Sequence, residues 1–308
     1  MRNGVLLGLT AALFWGVGDF CARGASRAGG TLRTLLLMNL IASVALGAIA
    51  GPLGLLRFTH PSLAALGAAA VVNLAILGGA VLLYRAFIFG TLALVSPIAA
   101  SFAALTALLA ILSGEHPSAT QLAGIVVTVA GVTLTCTVPG HPTAVAATKR
   151  AKGLFGLQPG VFEAIAAMLI FGVSYWLLRF LVARLGGVQT AFIGKVADLV
   201  VLSLVAGGAL LASRLRSPDK PLRVLPASLP ATRGLLLFAG ANAVLDTGAN
   251  IAYNLGIAGA LTSVVAVLSS LFSAVTVLLA SVFLRDRLSR WQWVGVVAIL
   301  AGVALVSV

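Results

Sequence analysis

The feature that most constrains this chain is an internal duplication. The stretch 253–305 repeats the stretch 84–134, at first without a gap and then after a slip of two residues. The matched residues are Tyr84 with Tyr253, Gly90 with Gly259, Val95 with Val264, Ser101 with Ser270, Gln121 with Gln292, Gly124 with Gly295, Gly131 with Gly302, Val132 with Val303 and, upstream, Asn73 with Asn242 and Gly79 with Gly248. Because a long internal repeat defines the folding unit, the sequence predicts two related halves.

The composition indicates that both halves lie in a membrane. Of the 308 residues, 60% are hydrophobic and 9% are charged, whereas about 25% are charged in soluble domains. The net charge of +13 follows from few acidic residues and from Lys and Arg in cytoplasmic loops. We therefore expect the lipid bilayer, and not nucleic acid, as the partner. Two cysteines and three scattered histidines predict no disulfide framework, no metal site and no cofactor.

Ten apolar runs are long enough to cross a bilayer, which takes roughly 20 residues. These predicted spans, numbered one to ten, are 4–22, 33–56, 63–84, 91–112, 118–138, 160–182, 188–212, 232–255, 258–283 and 289–308. The N-terminal run is retained as span one rather than a cleaved signal peptide, because residues 13–17 resemble residues 169–173.

The predicted fold is an all-α membrane protein with ten transmembrane helices in two inverted repeats. The first five-helix repeat covers 1–138, a basic linker covers 139–159, and the second five-helix repeat covers 160–308. Since five is odd, the second repeat is inverted relative to the first. This arrangement is typical of secondary transporters, whose substrate site lies near the midplane between the repeats.

The distribution of Lys and Arg predicts the orientation. The side of the N-terminus carries 4 of them and the opposite side carries 15, and the remaining one of the 20 is Lys195 inside span seven. Positive residues favour the cytoplasmic side. We expect a multi-pass protein of a bacterial-type cytoplasmic (inner) membrane, with both termini outside the cytoplasm.

Polar side chains form a stripe along span eight. Asn242, Asp246, Asn250 and Tyr253 follow one another at spacings of four, four and three, which places them on one helix face. An ionisable group inside a membrane is costly, so this face is expected to contact protein or a water-filled cavity.

Span three carries a related stripe. Asn73 and Tyr84 are separated by eleven residues, as are their counterparts Asn242 and Tyr253. The two stripes are expected to face each other across a substrate cavity. The alternative is that the asparagines join helices by hydrogen bonds, as asparagine often does in membranes.

Other candidate site residues lie on spans one, six and seven. Trp15 and Tyr175 are candidates for the aromatic wall of the cavity, with ordinary packing as the alternative. Asp19 is a candidate gate or proton site, or else a carboxylate at the membrane interface. Lys195 and Asp198, three residues apart, are predicted to form a structural ion pair along one helix face, with a pH-sensitive coupling site as the alternative.

Spans five and ten have an architectural pattern. Each carries two glycines seven residues apart, namely Gly124 with Gly131 and Gly295 with Gly302. Small residues let membrane helices approach closely, so the two spans are predicted to pack together. Acidic residues precede both spans, Glu115 and Asp286, and together with the nearby serines they are expected to cap the same helices.

The chain resembles the drug/metabolite transporter superfamily, in particular its EamA-type ten-helix transporters. The resemblance rests on Phe14-Trp15-Gly16 in span one and on Gly114-Glu115 followed by the glycines of span five. The second half has Arg285-Asp286-Arg287 in place of Gly-Glu. The resemblance implies transport of small metabolites without ATP and a cavity lined mainly by spans one, three, four, six, eight and nine. Small multidrug members carry an essential Glu in helix one, which this chain lacks.

The sequence therefore predicts a secondary transporter that moves a small metabolite or drug-like solute by alternating access, with an amino acid or an amine favoured. A proton is a candidate coupling ion, and both a monomer and a homodimer are compatible with the sequence. No enzymatic activity is expected, because no span carries a His and no carboxylate pair has catalytic spacing. The alternatives are a non-transporting sensor or assembly protein of this fold and, less favoured, an intramembrane lipid-modifying enzyme.

Overall fold

The structure is a computed structural model that describes residues 2–57, 61–90, 92–137, 159–216, 233–283 and 290–307. Within these ranges the chain forms twelve α-helices. They are α1 (Arg2–Gly29), α2 (Thr31–Ala50), α3 (Leu63–Phe89), α4 (Leu92–Ala100), α5 (Phe102–Leu112), α6 (Ala119–Thr137), α7 (Val161–Leu185), α8 (Gly187–Arg216), α9 (Arg233–Gly259), α10 (Thr262–Ser269), α11 (Phe272–Phe283) and α12 (Arg290–Ser307).

The twelve helices correspond to the ten predicted spans, because two spans are each divided in two. Helices α4 and α5 together make span four, and α10 and α11 together make span nine. In the part of the chain that the structure describes, eight segments are long and apolar enough to cross a membrane, and α6 contains a shorter apolar stretch, Ala119–Gly131. The all-α membrane fold is thus confirmed. The predicted linker lies, apart from Pro159, outside the described residues, and the repeat boundaries and the orientation stay predictions.

Spans four and nine break at repeat-equivalent serines. The Ser101 hydroxyl donates to the carbonyl of Pro97 at 3.2 Å, and the Ser270 hydroxyl donates to the carbonyl of Val267 at 2.7 Å. Serine hydroxyls that bond back to the preceding turn bend helices, and Pro97 within α4 supplies no N–H to its own turn. The interruption therefore has a local cause in both halves.

A single glycine connects the first two helices of each half. Gly30 joins α1 to α2 with φ 78°, and Gly186 joins α7 to α8 with φ 93°. An L-residue with a side chain rarely adopts this backbone conformation. The same one-residue reversal therefore occurs at the same place in both halves.

Equivalent hydrogen bonds connect the two halves. The Thr106 hydroxyl on α5 donates to the carbonyl of Gly172 on α7 at 2.9 Å. The Thr276 hydroxyl on α11 donates to the carbonyl of Gly16 on α1 at 3.1 Å. Exchanging the halves converts one contact into the other, as expected for inverted repeats. Each half thus packs its divided span against the first helix of the other half.

Helices α6 and α12 pack along each other, which confirms the prediction made from their glycines. A Cβ atom added at Gly302 would lie 2.6 Å from the backbone nitrogen of Thr128 and 2.8 Å from the carbonyl oxygen of Gly124. The backbones of the two helices are therefore close enough to exclude any side chain at this position. This contact joins the last helices of the two halves.

The Gly302→Ala variant is expected to lower stability, because the added methyl group must separate two backbones. Overpacking of this kind costs roughly 1–3 kcal/mol, which should reduce the apparent melting temperature of detergent-solubilised protein. The control is Gly207→Ala on α8, where an added Cβ meets no atom within 4 Å and Ala is the better helix former. Equal melting temperatures for the two variants would contradict the proposed close contact.

The predicted role of Glu115 is wrong. The prediction that the nearby serine Ser118 caps α6 is confirmed: Ser118 N donates to Gln121 Oε1 at 2.9 Å and Gln121 N donates to Ser118 Oγ at 3.2 Å, which together form a capping box. Glu115 accepts hydrogen bonds from the backbone nitrogens of Thr262 and Ser263, both at 2.9 Å. It therefore caps α10 in the other half. Its counterpart Asp286 lies outside the described residues.

Candidate substrate cavity

A cavity lies between the two halves. The space free of atoms amounts to about 880 Å³, counting the part that is continuous with the outside. Both halves contribute to its lining: α1, α2, α3 and α5 from the first, and α7, α8, α9 and α11 from the second. Spans two and seven therefore line the cavity in addition to the spans that the family resemblance implied. The polar lining residues are Asp19, Asn39, Asn73, Tyr84, Tyr175, Lys195, Asp198, Asp246, Asn250 and Asn254.

Trp15 is the centre of an aromatic cluster at one wall of the cavity. Its ring centroid lies 5.4 Å from Tyr175, 5.7 Å from Tyr253, 6.4 Å from Phe102 and 6.2 Å from Phe272. These distances are those of favourable edge-to-face and tilted aromatic pairs. Both predicted wall residues, Trp15 and Tyr175, line the cavity, and so do Phe102 and Phe272, which were not predicted. The sequence does contain a signal for these two phenylalanines, because they lie one and two residues after the duplicated serines Ser101 and Ser270.

Lys195 was predicted to form an ion pair with Asp198, and this prediction is wrong because Lys195 pairs with another residue. Lys195 Nζ lies 2.5 Å from Asp246 Oδ2 on the neighbouring helix α9. Among the described residues, Asp198 Oδ1 has no hydrogen-bond partner. Spacing along one helix predicts which residues share a face, but it cannot reveal a nearer partner on another helix. The ion pair therefore joins α8 to α9 at the cavity instead of bracing α8 alone.

Asp19 lines the cavity between the halves. The residue is 9% exposed, it lines the cavity, and its Oδ2 has no hydrogen-bond partner within the described part of the chain. The lining thus holds three carboxylates, Asp19, Asp198 and Asp246, against the one ammonium group of Lys195. The roles of Asp19 as a gate, as a proton site or as an interfacial carboxylate stay predictions.

Asn73 and Asn250 both line the cavity. The amide nitrogen of Asn73 donates to the carbonyl of Ala69 at 2.8 Å, and that of Asn250 donates to the carbonyl of Asp246 at 2.7 Å. Each amide is therefore anchored to its own helix one turn earlier. Neither asparagine forms a hydrogen bond to another helix within the described residues.

Asn242 and Tyr253 are not among the residues that line the cavity. Asn242 is 1% exposed and donates to the Tyr84 hydroxyl at 2.8 Å and to Met38 Sδ at 3.3 Å. It therefore joins α9 to α3 and α2, which is the hydrogen-bonding alternative considered for the asparagines. Tyr253 is completely buried behind Trp15. The two polar stripes do meet, but through the pair Asn242–Tyr84.

Comparisons with known proteins agree with this architecture. The model of the EamA-like transporter family matches residues 2–137 and 158–308. A search of curated proteins finds no match. One solved structure, described as the crystal structure of a protein, aligns with a TM-score of 0.70 at 19% sequence identity, covering 99% of this chain and 98% of that chain. At this identity the likeness shows the fold. Since the family model matches almost the whole chain, in two segments that correspond to the two halves, the protein belongs to the EamA-like transporter family.

Proposed function

We propose that this protein is a secondary transporter that carries a small amine-bearing solute, such as an amino acid or an organic amine, across the cytoplasmic membrane by alternating access. One observation carries the proposal. The cavity between the halves combines an excess of carboxylates with an aromatic wall. Membership in a transporter family and the inverted arrangement of the halves, in which transporters bind substrate between the repeats, support alternating access.

The charges of the cavity favour a cationic group. Among the described residues that line the cavity, three carboxylates, Asp19, Asp198 and Asp246, face a single cationic side chain, Lys195, which is bonded to Asp246. A carboxylate in a poorly hydrated site needs a counter-charge or a proton. A protonated amine of the solute supplies the counter-charge, and protons supply the alternative when the solute is absent. The same carboxylates can therefore couple solute movement to proton movement.

The aromatic wall favours a solute that also has an apolar or aromatic part. Trp15, Tyr175, Phe102 and Phe272 are all at least nine-tenths buried and line the cavity. Aromatic rings attract both apolar groups and cations that lie over their faces. The Lys195–Asp246 pair additionally offers one donor and one acceptor of opposite charge, which suits a zwitterionic amino acid. An amphipathic amine satisfies both parts of the cavity.

The proposal is tested by comparing an aromatic amine with its deaminated carboxylic acid. We expect the amine to raise the apparent melting temperature of the purified protein, because a ligand at about 100 times its Kd adds about 2.7 kcal/mol to the folded state. We also expect saturable uptake of the amine into proteoliposomes. The matched acid should produce neither effect. Equal stabilisation by both compounds, or uptake without saturation, would contradict the proposed substrate class or the carrier mechanism.

A further inference from the structure

Two equivalent asparagine–tyrosine pairs lie on α3 and α9. The duplication matches Asn73 with Asn242 and Tyr84 with Tyr253, so exchanging the halves converts the pair Asn242–Tyr84 into the pair Asn73–Tyr253. The first pair is formed, with the Asn242 amide donating to the Tyr84 hydroxyl at 2.8 Å. Both residues of this pair are buried.

The second pair is not formed. Tyr253 is 0% exposed and, among the described residues, its hydroxyl has no hydrogen-bond partner. Asn73 donates to Ala69 of its own helix, and its side chain occupies the space beside Gly194 that a Cβ atom there would take. Buried hydroxyl groups in native proteins nearly always have a partner. The Tyr253 hydroxyl is therefore available to the asparagine that the duplication pairs with it, Asn73.

The two pairs lie towards opposite ends of the helices. Tyr84 is close to the last residue of α3, Phe89, whereas Tyr253 is close to the last residue of α9, Gly259. In an inverted repeat these two helix ends lie at opposite membrane faces. The formed pair thus closes α3 onto α9 near one face, and the unformed pair leaves the same helices unjoined near the other.

We propose that the two pairs exchange during the transport cycle, so that Asn73–Tyr253 forms when Asn242–Tyr84 breaks. The inference rests on the proposed alternating access, in which each half adopts the conformation that the other half had. Both pairs are neutral, so the exchange moves no charge through the bilayer. In each state one of the two asparagine–tyrosine pairs is formed and the other is open.

The test uses two tyrosine-to-phenylalanine variants that remove the same atom from equivalent positions. Tyr84→Phe removes the bond to Asn242 in the present state, together with the hydrogen bond that the Tyr84 hydroxyl donates to Met38 Sδ at 3.4 Å. Tyr253→Phe removes the bond of the opposite state. Loss of one hydrogen bond should change the ratio of the two states by roughly two- to tenfold. We expect Tyr84→Phe to deplete the present state and Tyr253→Phe to enrich it. Asn242→Ala and Asn73→Ala form a second matched pair of variants. We expect Asn242→Ala to deplete the present state and Asn73→Ala to enrich it.

The ratio of states is measured by distances between spin labels in a variant without native cysteines. One label pair, at Arg85 and Gly234, reports the end of α3 near Tyr84, and another pair, at Ala68 and Ala258, reports the end near Tyr253; all four positions are exposed. Populations that shift in opposite directions in the two phenylalanine variants would support the exchange. Shifts in the same direction, or no shift in either variant, would overturn it.

The same preparations separate this inference from the proposed function. Solute flux of the wild-type protein is measured in proteoliposomes. A wild type that transports, with phenylalanine variants that do not shift in opposite directions, would overturn the exchange and leave the transport function standing. A wild type without saturable flux for any amine would overturn the proposed function, whatever the distances show.

Discussion

The Asp246→Asn variant is expected to insert and fold normally but to lose transport. Asp246 lines the cavity and is the partner of Lys195 at 2.5 Å. The amide has the same shape but no charge, so the amine of the solute and the Lys195 ammonium lose their shared counter-ion. We expect the lost pairing between Asp246 and the amine of the solute to cost about 2–5 kcal/mol of binding free energy, which corresponds to a loss of roughly 30-fold or more in flux at low solute concentration.

The measurement is solute flux into proteoliposomes at matched protein content, with size-exclusion chromatography to verify folding. The matched control is Glu163→Gln, which makes the same chemical change in the first turn of α7, outside the cavity lining. This variant should transport like the wild type. Normal flux in Asp246→Asn would remove Asp246 from the site.

A double variant separates binding from structural support. In Lys195→Met with Asp246→Leu, apolar side chains of similar size replace both charges, and such replacement of a buried ion pair is often neutral or stabilising. We therefore expect a folded protein that does not transport. A double variant that retained flux would assign the pair a purely structural role.

The fold was predictable because its determinants lie in local sequence patterns. Apolar runs of sufficient length become membrane helices whatever surrounds them, and the duplication predicts two equivalent halves. The contact between α6 and α12 followed from their glycines, since small side chains are what permits close helix packing. The break of span nine at Ser270 was not predicted, although this serine was matched with Ser101, because a hydroxyl can also bond back without ending a helix.

The cavity was predictable only in part. The stripe on span eight correctly places Asp246 and Asn250 on the cavity face, because helical periodicity determines which residues share a face. It does not determine how far around that face the cavity extends, and Asn242 and Tyr253 fall beyond its edge. Periodicity also says nothing about partners on other helices. For this reason the partner of Lys195 was assigned to its own helix.

Glu115 shows the same limit for capping. Its position before α6 suggested a cap of that helix, which is the local solution. The structure uses Ser118 for that purpose and directs the carboxylate to the beginning of α10 in the other half. The loop that contains Glu115 must first be placed against α10, and this placement depends on the whole bundle.

Replacing Glu115 by Ala is expected to cause the largest loss of stability among the variants considered. The side chain is 8% exposed and accepts two backbone hydrogen bonds at 2.9 Å from Thr262 and Ser263. In Glu115→Ala both N–H groups lose their acceptor, and the negative charge at the N-terminus of α10 is lost as well. Since hydrogen bonds to charged groups contribute about 1.5–3 kcal/mol each, we expect a loss of about 3–5 kcal/mol in the free energy of unfolding.

The salt bridge of the same carboxylate should contribute much less. Arg179 Nη1 lies 3.3 Å from Glu115 Oε1, and the Arg179 side chain is 22% exposed. Partly hydrated ion pairs are worth roughly 0–1 kcal/mol. The Arg179→Gln variant is therefore expected to melt close to the wild type, and Glu115→Gln, which keeps an acceptor oxygen but loses the charge, is expected to lie between Arg179→Gln and Glu115→Ala.

The order of the three melting temperatures identifies which interaction of Glu115 matters. If capping of α10 dominates, Glu115→Ala melts lowest and Arg179→Gln melts highest, as measured by thermal unfolding in detergent. If the ion pair dominates, the melting temperatures of Arg179→Gln and Glu115→Gln are as low as that of Glu115→Ala, and the capping interpretation fails. Glu115 belongs to the first half and α10 to the second. If Glu115→Ala alone has a low melting temperature, helix capping between the halves stabilises their association at this end of the bundle more than charge pairing does.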